Sequence, residues 1–134
     1  MNSDNSQESR GPRADTELAL QTLAMPKDTN ANGDIFGGWL VSQMDLAAGI
    51  ISKKVTQGRS ATVAILNINF IHPVSVGSTV SCYCKVSKRG RTSVHIAVEV
   101  WSSPRAIGEL IKVADGTFVF VAINDDGRPR PIPD

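Results

Sequence analysis

Two hydrophobic periods divide the chain. Between positions 39 and 51 only Ser42, Gln43 and Asp45 are polar, so this stretch lacks the polar stripe of a surface helix. A helix apolar on nearly all sides must be wrapped by other structure. Its interruptions by Gly, Gln and Asp argue against a membrane span. Ala47, Ala48 and Gly49 admit close approach of a neighbouring backbone. The pattern predicts a helix over 37–55, with Asp34 as its N-terminal cap. Lys53 and Lys54 place positive charge at the end where the helix dipole favours it, and Gly58 is read as the stop signal. After Gly58 the period falls to two. Strands are expected at 61–71, 80–87, 92–101 and 109–123, with an earlier one at 16–25 ended by Pro26. The strands at 61–71, 80–87 and 92–101 read as an antiparallel meander, and Asp115-Gly116 as a bend or bulge. One long helix and one antiparallel sheet must bury each other, and the simplest α+β solution curls the sheet around the helix.

Composition narrows this picture. At 134 residues the chain fits one domain with a substantial core. Residues 1–15 read as a disordered tail, 16–124 as the folded domain and 125–134 as an extended C-terminal tail. A net charge of +1 excludes a broad nucleic-acid surface. No apolar leader is visible, which argues against secretion. Cys82 and Cys84 are poorly spaced for a disulfide with each other and fit a reducing, cytoplasmic setting. With two cysteines and two histidines in no ligand-like spacing, no metal site is expected.

The chemistry gathers in the run Asn30-Ala31-Asn32-Gly33-Asp34-Ile35-Phe36-Gly37-Gly38-Trp39-Leu40 and in Met44-Asp45. A helix start exposes unpaired N–H groups. Such groups can hold a carbonyl oxygen that becomes negative during acyl transfer. Asp45, in the middle of an apolar helix, is costly to bury and so reads as functional. The plainer readings are a structural carboxylate for Asp45, close packing for Gly37 and Gly38, and turn formation for Asn30 and Asn32. Lys88, Arg89 and Arg91 surround Gly90 in a basic turn. It is either a solvated hairpin tip or a phosphate contact to which Thr92 and Ser93 add hydrogen bonds. His95 reads as a core histidine, and Trp39 and Trp101 as packing residues.

Beyond these local readings, the chain resembles a known family over nearly its whole length after the tail. The residues that carry the resemblance are Leu23-Ala24-Met25-Pro26, the run from Asp28 to Leu40, and Ser42-Gln43-Met44-Asp45. Phe70 with Pro73-Val74, Gly77, Gly90-Arg91-Thr92-Ser93 and Asp126-Gly127-Arg128-Pro129-Arg130 add to it. Together they resemble the hotdog-fold acyl-CoA thioester hydrolases of the YciA-like branch. The resemblance implies a hotdog fold, a curled antiparallel sheet around one long central helix. It implies that Asp45 is the catalytic carboxylate, that the Gly37 N–H polarises the thioester carbonyl, and that Asn30 helps to place the attacking water. Gly38, Lys88, Arg89, Gly90, Arg91, Thr92 and Ser93 would then contact acyl-CoA. The implied enzyme needs no cofactor and is a homodimer at least, extending to a hexamer built as a trimer of dimers. The chain departs from the branch in two places. Ile65-Leu66-Asn67 stands where charged residues are common, and His72 where Arg is common.

Asp45 could act as general base or attack the thioester directly to form an anhydride. A non-catalytic acyl-CoA-binding module is the alternative from another class, but such a module has no need of a buried base. A dehydratase is a third reading, but Phe36 stands where such hotdog enzymes often have His. Gly37 and Asp45 are eight positions apart, or roughly 12 Å along one helix. One carbonyl therefore meets both groups most simply if two subunits share the site.

Overall fold

The computed structural model of the chain describes residues 11–104 and 109–134. It contains strands β1 (Glu17–Leu23), β2 (Ser60–Phe70), β3 (Thr79–Arg89), β4 (Ser93–Ser103) and β5 (Ile111–Ala122), a single 3-10 turn at Pro26–Asp28, and the helix α1 (Gly37–Thr56). The strands form one antiparallel sheet in the order β1-β3-β4-β5-β2. The sheet packs against α1 through every strand.

The meander expected of the strands at 61–71, 80–87 and 92–101 is corrected by this order. β3, β4 and β5 form the meander, while β2 lies at the far edge against β5. Residues 71–78 do not make a hairpin but cross from one edge of the sheet toward the other. Ile71 N–H still donates to Val113 of β5 at 2.8 Å. By Val74 the connection has reached the helix start, where its carbonyl accepts from Ile35 N–H at 2.9 Å. By Ser78 it is beside β1, bonded to Ala24 N–H at 3.0 Å. Periodicity reveals that a strand exists, but the neighbour is chosen by where a connection can run.

α1 buries Trp39, Leu40, Met44, Ala47, Ala48 and Ile51 against Val80, Cys82, Val94, Ile96, Val98, Phe118 and Phe120 of the sheet. The spacing from Leu40 through Met44, Ala47 and Ala48 to Ile51 is one helical stripe. The chain therefore wraps one side of its helix, not all of it. Away from the sheet Leu46 is 57% exposed and Ile50 is exposed too, as are Val63, Ile65, Leu66 and Phe70 on β2.

Both helix ends differ from expectation. Asp34 is not the cap. Phe36 occupies that position without a side-chain bond, because Asp34 is drawn into a turn whose carbonyl accepts from Asn30 N–H at 2.7 Å. At the other end Gln57, not Gly58, takes the left-handed conformation at φ 55°. Gly58 is small for another reason: a Cβ there would lie 2.8 Å from the Arg130 guanidinium. The irregularity expected at Asp115-Gly116 lies on the opposing strand. The β2 register shifts between Leu66 and Asn69, with Asn67 at φ 55°. Gly116 makes room for Ile68, whose side chain occupies the place a Cβ would take.

Of the N-terminal tail, residues 1–10 lie outside the described residues. Asp15 is bonded to Lys85 of β3 at 2.8 Å, which holds its carboxyl below the usual carboxylate range. The C-terminal segment opens with a turn in which Asn124 Oδ1 accepts from the N–H groups of Asp126 and Arg128. It then lies along the domain. Arg130 donates to the carbonyls of Ile123, Thr56 and Arg59 at 2.9, 3.0 and 3.2 Å, and Ile132 is buried.

Candidate active site

The loop before α1 is shaped by Asn30. Its Oδ1 accepts from Asn32 N–H at 2.9 Å and Asp34 N–H at 3.2 Å, so the oxygen is spent on local backbone. The amide nitrogen has no hydrogen bond among the described residues, leaving a donor at an exposed position. The bridge between Thr29 and Ile35 closes the loop and delivers the chain to the helix start.

Gly37 and Gly38 are the first two residues of α1. Their N–H groups precede the first intrahelical bond and have no partner among the described residues, whereas Trp39 N–H is taken by Phe36 carbonyl at 3.1 Å. The Phe70 ring lies where a Gly37 side chain would go, 3.2 Å from the Cβ position. A cavity of about 380 Å³ opens beside it, walled by Ile35, Leu40, Phe70, Ile71, Pro73 and Val74, with His72 also contributing. Asn30 and Gly37 thus share one end of the domain.

Asp45 sits two turns further along α1, half-buried. Thr62 on β2 donates its hydroxyl to Asp45 Oδ1 at 2.7 Å. Sequence reading missed Thr62. A threonine in an alternating strand is an ordinary β-former, and its signal emerges only once β2 is laid beside the helix. The structure leaves Asp45 and Gly37 of the same chain apart: Asp45 meets the start of β2, Gly37 the end of it at Phe70.

The basic turn lies at the sheet end where β2 starts, as the pairs Ser93–Val121 and Ser60–Ala122 require. β3 continues through Arg89, so the turn is tighter than expected. Gly90 N–H donates to Ser93 carbonyl at 2.8 Å and Ala122 N–H to Thr92 carbonyl at 2.9 Å. Arg89 is committed elsewhere, donating to the carbonyls of Ile132 and Pro133. Lys88 and Arg91 keep side chains without ion pairs among the described residues. Cys82 and Cys84 are buried and reduced, and burial pushes both thiols up to about 12. They are core residues, not nucleophiles. No group of three or more metal-ligating side chains occurs among the described residues, and no described helix is long and apolar enough to cross a membrane.

The sequence profile of the thioesterase superfamily matches residues 32–109. The chain is similar to the acyl-CoA thioester hydrolase YciA of Salmonella typhimurium, 51% identical over 120 residues that cover 87% of this chain and 90% of that protein. The Escherichia coli YciA is 48% identical over 120 residues, covering 87% and 91%. Among solved structures, HI0827, described as a hexameric broad-specificity acyl-coenzyme A thioesterase, superposes with a TM-score of 0.85 at 51% identity, covering 93% of this chain and 86% of that one. An aspartate-to-alanine mutant of that enzyme has been solved as well. The hexameric thioesterase of Yersinia pestis follows at a TM-score of 0.84 and 48% identity, covering 88% and 97%.

Proposed function

The chain belongs to the hotdog-fold thioesterase superfamily as an acyl-CoA thioester hydrolase of the YciA-like branch, and from that premise we propose that Asp45, Gly37 and Asn30 are its catalytic set. The observation that carries this reading is the Thr62–Asp45 hydrogen bond of 2.7 Å, which ties the one carboxylate of α1 to β2. It fixes one carboxylate oxygen and leaves the other free to face a reactant.

The roles follow from the chemistry. The thioester carbonyl oxygen accepts from the Gly37 N–H at the positive end of α1, with the Gly38 N–H beside it. Asn30 uses its free amide nitrogen to hold the attacking water. Asp45 takes the proton as that water adds to the carbonyl carbon, or attacks the carbon itself; both routes need the same placement. On the base route the C–S bond breaks as the tetrahedral adduct collapses, Asp45 returns the proton to the leaving thiolate, and coenzyme A and a free acid leave. On the direct route C–S cleavage expels the thiolate, which takes a proton from water, and a second water then hydrolyses the mixed anhydride to release the acid and restore Asp45. Lys88 and Arg91 at the basic turn, with Gly90, Thr92 and Ser93, contact the phosphates of coenzyme A; Arg89 supports the turn through its bonds to the C-terminal backbone.

The site is completed by a second copy of the chain. Leu46 and Ile50 on α1 and Val63, Ile65, Leu66 and Phe70 on β2 are all exposed in the single chain, and β2 is an edge strand. Such apolar exposure and such an edge both call for a cover. Two-fold pairing there brings Asp45 of one protomer toward Gly37 of its partner. A hexamer, as in HI0827, then assembles from three such dimers. Thiol release from a panel of acyl-CoA esters tests the reading. The expected result is turnover by the native chain and its loss by about 10²–10⁴-fold in Asp45→Asn. Undiminished thiol release by that variant would remove Asp45 from the mechanism.

A further inference from the structure

The end of β2 carries an inserted residue. From Leu66 to Asn69 the strand advances three positions, while its partner β5 advances two, between Thr117 and Asp115. Asn67 takes up the difference in the left-handed region at φ 55°, which Asn tolerates better than most residues. One extra residue turns every side chain beyond it to the other face of the sheet. Phe70 pairs with Ala114 and Ile65 with Phe118. Ala114 and Phe118 are four positions apart and both fully buried, so Phe70 shares their helix-facing side. Without the insertion it would face away from α1.

Side chains on both strands hold the insertion in place. Asn69 donates its amide to the Asn67 carbonyl at 3.0 Å and to Asp115 Oδ1 at 2.9 Å. Lys112 lies 3.1 Å from Asp115 Oδ2, with the two side chains 15% and 31% exposed. Gly116 leaves the space that Ile68 fills. None of these residues belongs to the catalytic set proposed above. What they deliver is the Phe70 ring, tip first, against Gly37. Its Cζ, Cε1 and Cε2 lie 3.2, 3.3 and 3.7 Å from where a Gly37 Cβ would be. Phe70 is otherwise 55% exposed, so the rest of the ring is available to a bound group.

We propose that Phe70 is a specificity-determining residue: it admits acyl groups that are unbranched beside the carbonyl and turns away those that carry a substituent there. This rests on the acyl-CoA reading above. A carbonyl oxygen held by the Gly37 N–H has the next acyl carbon two bonds away, beside the ring tip. A methylene at that carbon lies along the ring. An added methyl group has to displace it, and the ring yields poorly, with helix backbone at its tip and the Asn69–Asp115–Lys112 network behind it. A branch farther along the acyl chain lies beyond the ring and escapes this test.

Two isomeric esters isolate the effect. 3-Methylbutanoyl-CoA and 2-methylbutanoyl-CoA have the same atoms and differ only in where the branch sits. The readout is the ratio of their kcat/KM values, the first over the second. Intrinsic slowness of the ester branched beside its carbonyl cancels when variants are compared. Phe70→Ala should lower the ratio about tenfold, and Phe70→Leu should lower it less. Asn69→Ala, which frees the insertion and keeps the ring, should move it in the same direction. A native ratio in Phe70→Ala, shown folded by thermal melting, would overturn the proposal, including the case in which both esters lose activity equally. If that variant does not fold, Phe70→Leu decides by the same ratio. A native ratio in Asn69→Ala would overturn the role given to the insertion. Failure of the hydrolase reading itself is a separate result, no thiol release from either ester or from unbranched pentanoyl-CoA by the native chain.

Discussion

Thr62 holds Asp45 across two elements: a strand hydroxyl bonds a helix carboxylate at 2.7 Å, seventeen positions apart in sequence. The bond orients the carboxylate. Thr62→Val keeps the shape and removes the donor. A hydrogen bond to a charged group contributes about 1.5–3 kcal/mol, so kcat should fall about tenfold or more. KM should change little, because the bond acts on the reacting groups and not on the carrier. Thr62→Ser should retain most of the activity. Equal kcat in Thr62→Val and the native chain would remove the hydroxyl from the mechanism.

Much of this site was legible in the sequence, but not its completion. The apolar run after Gly37 and the lone Asp45 within it mark a helix and a carboxylate from composition alone. Asn30 is read two ways; the structure shows its oxygen in the turn and leaves its amide nitrogen without a partner among the described residues. The basic turn was read as three equivalent cations. Sequence spacing cannot tell that β3 continues through Arg89 and that the C-terminal carbonyls claim its guanidinium. The apolar helix was read as wrapped all round. Its stripe at Leu46 and Ile50 stays exposed in the single chain, because the sheet covers only the opposite side of the helix. The strand order escaped for a related reason, since residues 71–78 carry the signals of a turn and not the direction in which it crosses.

The two cysteines give a pH signature. Burial raises both thiols from 9.0 to about 12, with mutual repulsion and Glu17 adding at Cys84. Between these limits the unfolded chain has lost its thiol protons while the native chain keeps them. The native state then binds more protons, and stability falls as pH rises through that window. Below pH 9 the thiols contribute no slope. The melting midpoint followed through alkaline pH should drop more steeply in the native chain than in Cys82→Ala/Cys84→Ala, whose midpoint is lower throughout because two core side chains are truncated. Parallel curves for the two proteins would contradict the assignment.

Arg130 fastens the C-terminal segment to the helix end and to the start of β2. Arg130→Ala should destabilise the fold by about 2–3 kcal/mol, because three carbonyls lose a charged donor. Gly58→Ala places a methyl 2.8 Å from the same guanidinium and should also destabilise. The two lesions share a cause, so their effects should not add. Chemical denaturation of the native chain, both single variants and the double variant measures the coupling. Strict additivity would show that Gly58 is small for a reason other than Arg130.

The shared site makes the most demanding prediction. Gly37 and Asp45 lie on one rigid helix, roughly 12 Å apart along its axis, while a donor and a base serving one carbonyl must each come within about 3 Å of their reacting atoms. No bending of α1 closes that gap without breaking the helix. The proposed two-fold axis at the exposed face of α1 and the edge of β2 would close it twice, once at each of two equivalent sites. Asp45→Asn removes the base, and Gly37→Pro removes the backbone donor. Each variant should be inactive as a homodimer. When subunits of the two kinds are unfolded together and refolded, a mixed dimer has one site with both lesions and one with neither. Its activity should therefore return to as much as about half that of the native dimer. Native mass spectrometry identifies the mixed dimers, and thermal melting shows that each variant is folded. If folded mixed dimers stay inactive, each chain must carry its own complete site, and the apolar face of α1 must serve assembly alone.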